Sequence, residues 1–289
     1  MKAGASLAGL GGRSACAVAF AGLVLSAGTT SAAEYKFKTD YSAYLAGVPV
    51  GKATLSGTFD GPQYRLDGYG KLTGLAGAVY DYTASASSAG RLMSGGTQPR
   101  AFSVDATDGK KSAKVRMTMN QDGVRRLKLT PPVPKEWYKH PNRVQVTDAH
   151  TKNTIDPMSA LIVAGGNTPS GIDKRACERT VPIYNGRERF DVTLEFRKIE
   201  SISSSDVPGG QVLVCGAHYR AIAGHRTDKK EVEMAEKIDI ELKLAPVAGS
   251  DLLVPYRISI PTPIGLAVIQ AGATTTTGAL NTRAAALGE

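Results

Sequence analysis

The chain has 289 residues, with 35 Lys and Arg against 26 Asp and Glu for a net charge of +9, and it is poor in aromatics (6%) but holds 32 glycines. That length admits one large domain or two small ones, and the glycine-rich, aromatic-poor composition suits short strands and turns and argues against a helical bundle. No stretch approaches the ~18 continuous apolar residues of a membrane helix.

The chain opens Met1-Lys2, has a second basic residue at Arg13, runs through the small apolar stretch 15–26 and reaches Ser31-Ala32-Ala33 with no acidic residue before Glu34. This is the layout of a secretory signal peptide, expected over residues 1–33 with cleavage after Ala33. Cys16 follows Arg13-Ser14-Ala15, which is no lipidation signal, and it sits where no signal peptidase would cut. The expected location is the periplasm or cell envelope. Beyond residue 33 the chain keeps 33 basic and 26 acidic residues, a net charge of +7.

Residues 34–61 read as a hairpin. Tyr35, Phe37, Tyr41, Tyr44 and Leu45 come first, 46–51 is the turn, and Ala53, Leu55, Gly57 and Phe59 alternate against polar neighbours. After Asp60-Gly61-Pro62, the residues Tyr64, Leu66 and Gly68 alternate in a third strand. Residues 72–82 fit either a short helix or a bulged strand. Tyr80, Tyr82, Ala84 and Ala86 alternate next, and another strand begins at Gln98.

Residues 111–130 predict a hairpin in a definite register, with Met117 opposite Leu127 and Val115 opposite Leu129. The loop is then Gln121-Asp122-Gly123, with Gly123 left-handed at a bulge. The opposite face carries Lys114, Arg116, Arg126 and Lys128 together. After the break at 131–134, residues 156–165 predict a short helix lying over the open face or mouth of the sheet. Asp156 is its N-cap, Pro157 its first residue and Gly165 its end.

Cys177 begins a strand–turn–strand segment with Asn185-Gly186 as the hairpin signal, and Cys215 lies on a later apolar run, 211–215. Two cysteines in an oxidising compartment predict a disulfide. It closes a loop of about 39 residues, worth about 4 kcal/mol in the chain-entropy account. Residues 225–236 read as a polar loop with one helical turn. Strands follow at 238–244, 255–260 and 266–270, and a frayed, disordered tail is expected over 273–289. The fold class is mainly β: a strongly curved antiparallel sheet, a barrel or half-barrel, with one or two short helices, forming a single domain over 34–272.

Four stretches carry a resemblance: 44–51, 154–161, the run from Cys177 through Asn185-Gly186 to Asp191 with Cys215, and 253–258 with Gly265. Together they resemble the exported bacterial family known as domain of unknown function 3108, over roughly residues 36–272. The resemblance implies an exported β-rich envelope protein with no established activity, and it carries over no site residues.

No catalytic constellation, metal set or cofactor motif is read in the chain. His140, His150, His218 and His225 have no metal-ligand spacing, and there is no nucleophile elbow, phosphate loop or Cys-x-x-Cys. The charge is more informative. Residues 110–143 hold ten Lys or Arg against Asp122 and Glu136. One reading is a patch for an anionic envelope component, and the other is a solvated face that protects an edge strand. Nucleic acid does not fit an exported protein whose patch lacks interleaved aromatics. The function expected is a soluble envelope protein that binds an amphiphilic anion such as a lipid, with Lys114, Arg116, Arg126 and Lys128 at the headgroup and the sheet interior at the acyl part. The interior is otherwise a fully packed core. A protein-binding scaffold in envelope biogenesis is the alternative, and an uncharacterised hydrolase the third.

Overall fold

The computed structural model describes residues 34–93, 96–165 and 172–280. The expected signal peptide and residues 281–289 of the expected tail lie outside the described residues. Fourteen strands form one antiparallel sheet: β1 (Tyr35–Leu45), β2 (Val48–Asp60), β3 (Gln63–Leu72), β4 (Tyr82–Met93), β5 (Gly96–Asp108), β6 (Lys111–Asn120), β7 (Gly123–Thr130), β8 (Val163–Ala164), β9 (Arg179–Tyr184), β10 (Arg189–Ser201), β11 (Gln211–Ala223), β12 (Ile240–Pro246), β13 (Leu252–Thr262) and β14 (Gly265–Thr277). Their order is β7-β6-β5-β4-β3-β2-β1-β14-β13-β12-β11-β10-β9, with β8 added on β13. Among the described residues four short α-helices interrupt them: α1 (Gly74–Val79), α2 (Lys135–Tyr138), α3 (Asp148–Thr151) and α4 (Lys230–Lys237).

Curvature follows from the core. Phe59 of β2, Met117 of β6, Tyr184 of β9 and Val254 of β13 belong to one buried cluster. In a flat sheet β2 and β6 alone would be about 19 Å apart, at ~4.8 Å per strand. The sheet therefore wraps around its apolar face. Among the described residues, no ladder joins the edge strands β7 and β9. Packing seals that seam. The β9–β10 turn leans on the inner face of the β6–β7 hairpin: at Gly186, with φ 96°, a Cβ would lie 2.8 Å from Val115 Cγ1. Ile155 adds a parallel bridge to Ile183 on β9.

Local structure sharpens several expectations. Within residues 72–82 the helix forms, as α1 over Gly74–Val79. The first turn is Ala46-Gly47 alone, with φ of 50° and 84°, the two-residue left-handed turn that matches strand twist. Asn185-Gly186 is not a two-residue turn. Tyr184 pairs with Arg189 across a four-residue loop, in which Asn185 Oδ1 accepts from the backbone N–H of Arg187 and Glu188 at 2.9 and 2.8 Å. The β6–β7 register pairs Met117 with Leu127 and Val115 with Leu129, as expected. Its extra residue is Arg125, however, and Gly123 pairs with Asn120. Strand β14 continues to Thr277, and Thr274–Thr277 pair with Thr39–Lys36 of β1, so residues 273–277 belong to the sheet and not to a tail.

The largest departure is at residues 156–165. Only one 3-10 turn forms, Ser159–Leu161, and Val163–Ala164 then joins the sheet. The segment is a plug inside the sheet, not a lid over its mouth. Asp156 and Ser159 are fully buried. Asp156 does cap the turn, accepting from the N–H of Met158 (2.9 Å) and Ser159 (3.0 Å). Its second oxygen accepts from the hydroxyls of Ser88 on β4 (2.8 Å) and Ser159 (2.6 Å), and Tyr64 of β3 hydrogen-bonds Ser159 Oγ at 2.6 Å. Burial pushes the Asp156 carboxyl above its ordinary value.

Cys177 and Cys215 are bonded, with Cα atoms 5.5 Å apart. Both are fully buried in a second cluster with Val163, Leu213, Leu244 and Leu253. Val212 and Val214 on the opposite face of β11 pack in a third cluster with Val207 and Ala245. Strand β11 is thus covered on both faces, and the disulfide ties the segment before β9 to it.

Two outcomes follow. Replacing both cysteines with Ala should lower unfolding free energy by about 4 kcal/mol, measured by denaturant titration. Asp156→Ala strands buried donors and should cost at least about 2 kcal/mol. Because the folded carboxyl holds its proton to higher pH than the unfolded one, its contribution is fully present below the ordinary carboxylate value and fades as pH rises through the raised one. The wild type should therefore lose stability relative to Asp156→Asn as pH is raised from about 4.

Candidate functional site

The inner face changes character along the strands. At one end it carries Tyr35, Phe37, Phe59, Tyr64, Leu66 and Phe102, all buried. Towards the Ala46-Gly47 turn the rows become Leu55–Gly68–Ala86 and then Ala53–Gly70–Ala84 across β2, β3 and β4. The glycines of this face have different causes. A Cβ on Gly57 would strike the Phe37 ring at 2.4 Å, so that site is filled, whereas one on Gly70 would meet nothing nearer than 3.7 Å. The space in front of Gly70 is an apolar cavity of about 280 Å³ bordered by Tyr41, Gly70, Ala84, Met158, Ile258 and Ile269. The plug forms its floor through Met158 and Leu161. The Tyr41 hydroxyl is spent on Pro255 O at 2.9 Å, which leaves the lining almost wholly hydrocarbon.

The turns at this end form an apolar rim. Val79 and Tyr80 at the end of α1 are 73% and 61% exposed, and Ile264 in the β13–β14 turn is 72% exposed. The segments that carry them both adjoin the β1–β2 hairpin. Thr73 N–H donates to Val50 O, and Ala46 N–H donates to Leu266 O, each at 2.9 Å. Exposed apolar groups clustered around a cavity mark an interaction site more strongly than scattered ones do.

Lys114, Arg116, Arg126 and Lys128 do share one face, with Arg116 opposite Lys128 and Arg126 opposite Thr118. That face is the outer one, and the Met117–Leu127 pair behind it faces inward. The four basic residues and the cup are therefore separated by the sheet, and one amphiphile cannot span both through it. The register carries the basic face on to residues the sequence reading missed. Arg116 continues through Ser103 and Ser87 to Asp67, and Thr118 continues through Ala101 and Ala89 to Arg65. These small residues leave a trough of about 620 Å³, with Arg65 on one bank and Arg126 and Lys128 on the other. Arg65 makes two 2.9 Å bonds to Asp67, and Arg116 bonds Asp105 at 2.6 Å, which holds the Asp105 carboxyl below its ordinary value.

The histidines play local parts. His150 Nδ1 accepts from the Thr147 N–H, His140 Nδ1 accepts from the Asn142 N–H, and His218 lies 3.7 Å from Glu195. Among the described residues no group of three His, Cys, Asp or Glu side chains gathers as a metal set.

Comparison with known proteins gives the following. No curated protein sequence matches the chain. Among solved structures it is similar to a β-barrel-like protein of domain of unknown function DUF1849 from Brucella abortus, at 8% identity and a TM-score of 0.46, over 85% of this chain and 98% of that one. The family described as protein of unknown function (DUF3108) matches residues 40–271. That span runs from β1 into β14 and takes in the plug, the disulfide and the four stretches of sequence resemblance; the chain belongs to the DUF3108 family.

Proposed function

We propose that this is an exported envelope protein that binds an amphiphile by taking its apolar chain into the cup at the small-residue end of the sheet. The observation that carries this reading is the unfilled space beside Gly70 and Ala84, walled by hydrocarbon, at the end of the sheet whose turns expose Val79, Tyr80 and Ile264. At about 280 Å³ it falls just below the ~300–1,000 Å³ usual for small-molecule sites, which suits a single acyl chain better than a multi-chain lipid. Buried Tyr41 and the plug leave few polar partners within, so the polar end of the ligand stays at the rim. The leader-like residues 1–33 and the buried disulfide support export to an oxidising compartment.

Filling the cup tests the proposal. Ala53→Leu with Ala84→Leu places two branched side chains where the acyl chain would lie. Binding of a fluorescent fatty acid should weaken at least tenfold, while the melting temperature stays within a few degrees of wild type. Native mass spectrometry of protein purified from its own envelope should show a co-purified amphiphile in the wild type and not in the variant. Unchanged probe binding with a filled cup would reject the proposal. A protein crosslinked through Val79 or Ile264 with the cup empty would favour a scaffold instead.

A further inference from the structure

A ligand inside the cup leaves the outer trough without a role, and the trough has a different chemistry. Its banks carry Arg65, Arg116, Arg126 and Lys128, and its floor carries Ser87, Ser103 and Thr118. Ser87 and Ser103 hydroxyls are 2.8 Å apart. Asp67 and Asp105 orient Arg65 and Arg116 without neutralising the face: with Lys114 there are five cations against these two carboxylates. Among the described residues, no ion pair engages Arg126 or Lys128. An arginine fork beside a lysine point charge, above hydroxyl donors, is the donor set for phosphate oxygens.

The same outer face carries Tyr69, 44% exposed, whose cross-strand row runs through Ser85 and Asp105 to Lys114. Strands β3 and β4 are joined by α1, which ends in the exposed pair Val79 and Tyr80. Exposed tyrosine beside clustered basic residues is the composition of a membrane–water interface.

We infer that the outer face of β3–β7 docks on the phosphate headgroups of an anionic phospholipid surface, with Arg126 and Lys128 as the principal contacts. This docking does not depend on what fills the cup. It also sets α1, part of the rim, beside the lipid.

Vesicle flotation at 0.15 M salt tests it, comparing phosphatidylglycerol-containing with pure phosphatidylcholine vesicles. The wild type should float with the former only, and 0.5 M salt should release it. Arg126→Ser with Lys128→Ser should weaken binding at least tenfold. The exposed pair Lys174→Ser with Lys230→Ser removes the same charge elsewhere and should leave binding within about twofold. Equal loss in both pairs, no preference for phosphatidylglycerol, or tight calorimetric binding of free glycerol phosphate would each overturn the inference. The cup-filled variant should float like wild type, which separates this test from that of the cup.

Discussion

Asp156 is fully buried, and four hydrogen bonds partly offset its loss of water. A carboxylate in that position is costly unless every lone pair is met. Meeting them requires the plug, β3 and β4 to sit in one arrangement. Ser88 comes from β4, Tyr64 reaches in from β3 through Ser159, and the two N–H groups come from the turn that the carboxylate caps. The plug's position in turn places Met158 under Gly68, where a Cβ would lie 3.0 Å from its Cε. Met158 and Leu161 then floor the cup, and Ile155, just before the carboxylate, bridges to β9 at the seam.

The sheet solves its edge problem without closing. Edge strand β7 carries Arg125, Arg126 and Lys128, charges that discourage pairing with another chain. The other edge, β9, is covered by Ile155, and the disulfide anchors its approach to β11. What remains is an incomplete barrel with a filled aromatic end and a hollow small-residue end. Its two faces also differ in chemistry, apolar within the curve and basic on the hairpin outside.

Much of this was legible in the residues. Period-two alternation located the strands, and parity placed Met117 against Leu127 while putting Lys114, Arg116, Arg126 and Lys128 on the opposite face. Other features depend on distances that alternation does not encode. The Arg125 bulge keeps the expected pairs while moving the extra residue two positions along. Asp156 could be read as a cap because capping is local, but its bond to Ser88 spans 68 residues. Arg65 joins the basic trough only through four successive registers. The cup is a matter of volume: Gly57 and Gly70 look alike in the sequence, yet a Cβ on one would strike the Phe37 ring and a Cβ on the other would meet nothing nearer than 3.7 Å, at the border of the cavity. The threonine run at 274–277 has a β-branched composition, but its partner strand is at the other end of the chain.

The central claim is that the hollow end of the curve receives an apolar chain. Photo-crosslinking with a diazirine-tailed fatty acid, followed by peptide mapping, addresses it directly. Adducts at Met158, Leu161, Ile258 or Ile269 are the predicted result. Adducts confined to the outer face, at Arg65 or along the basic hairpin, would contradict it, as would no saturable labelling at all.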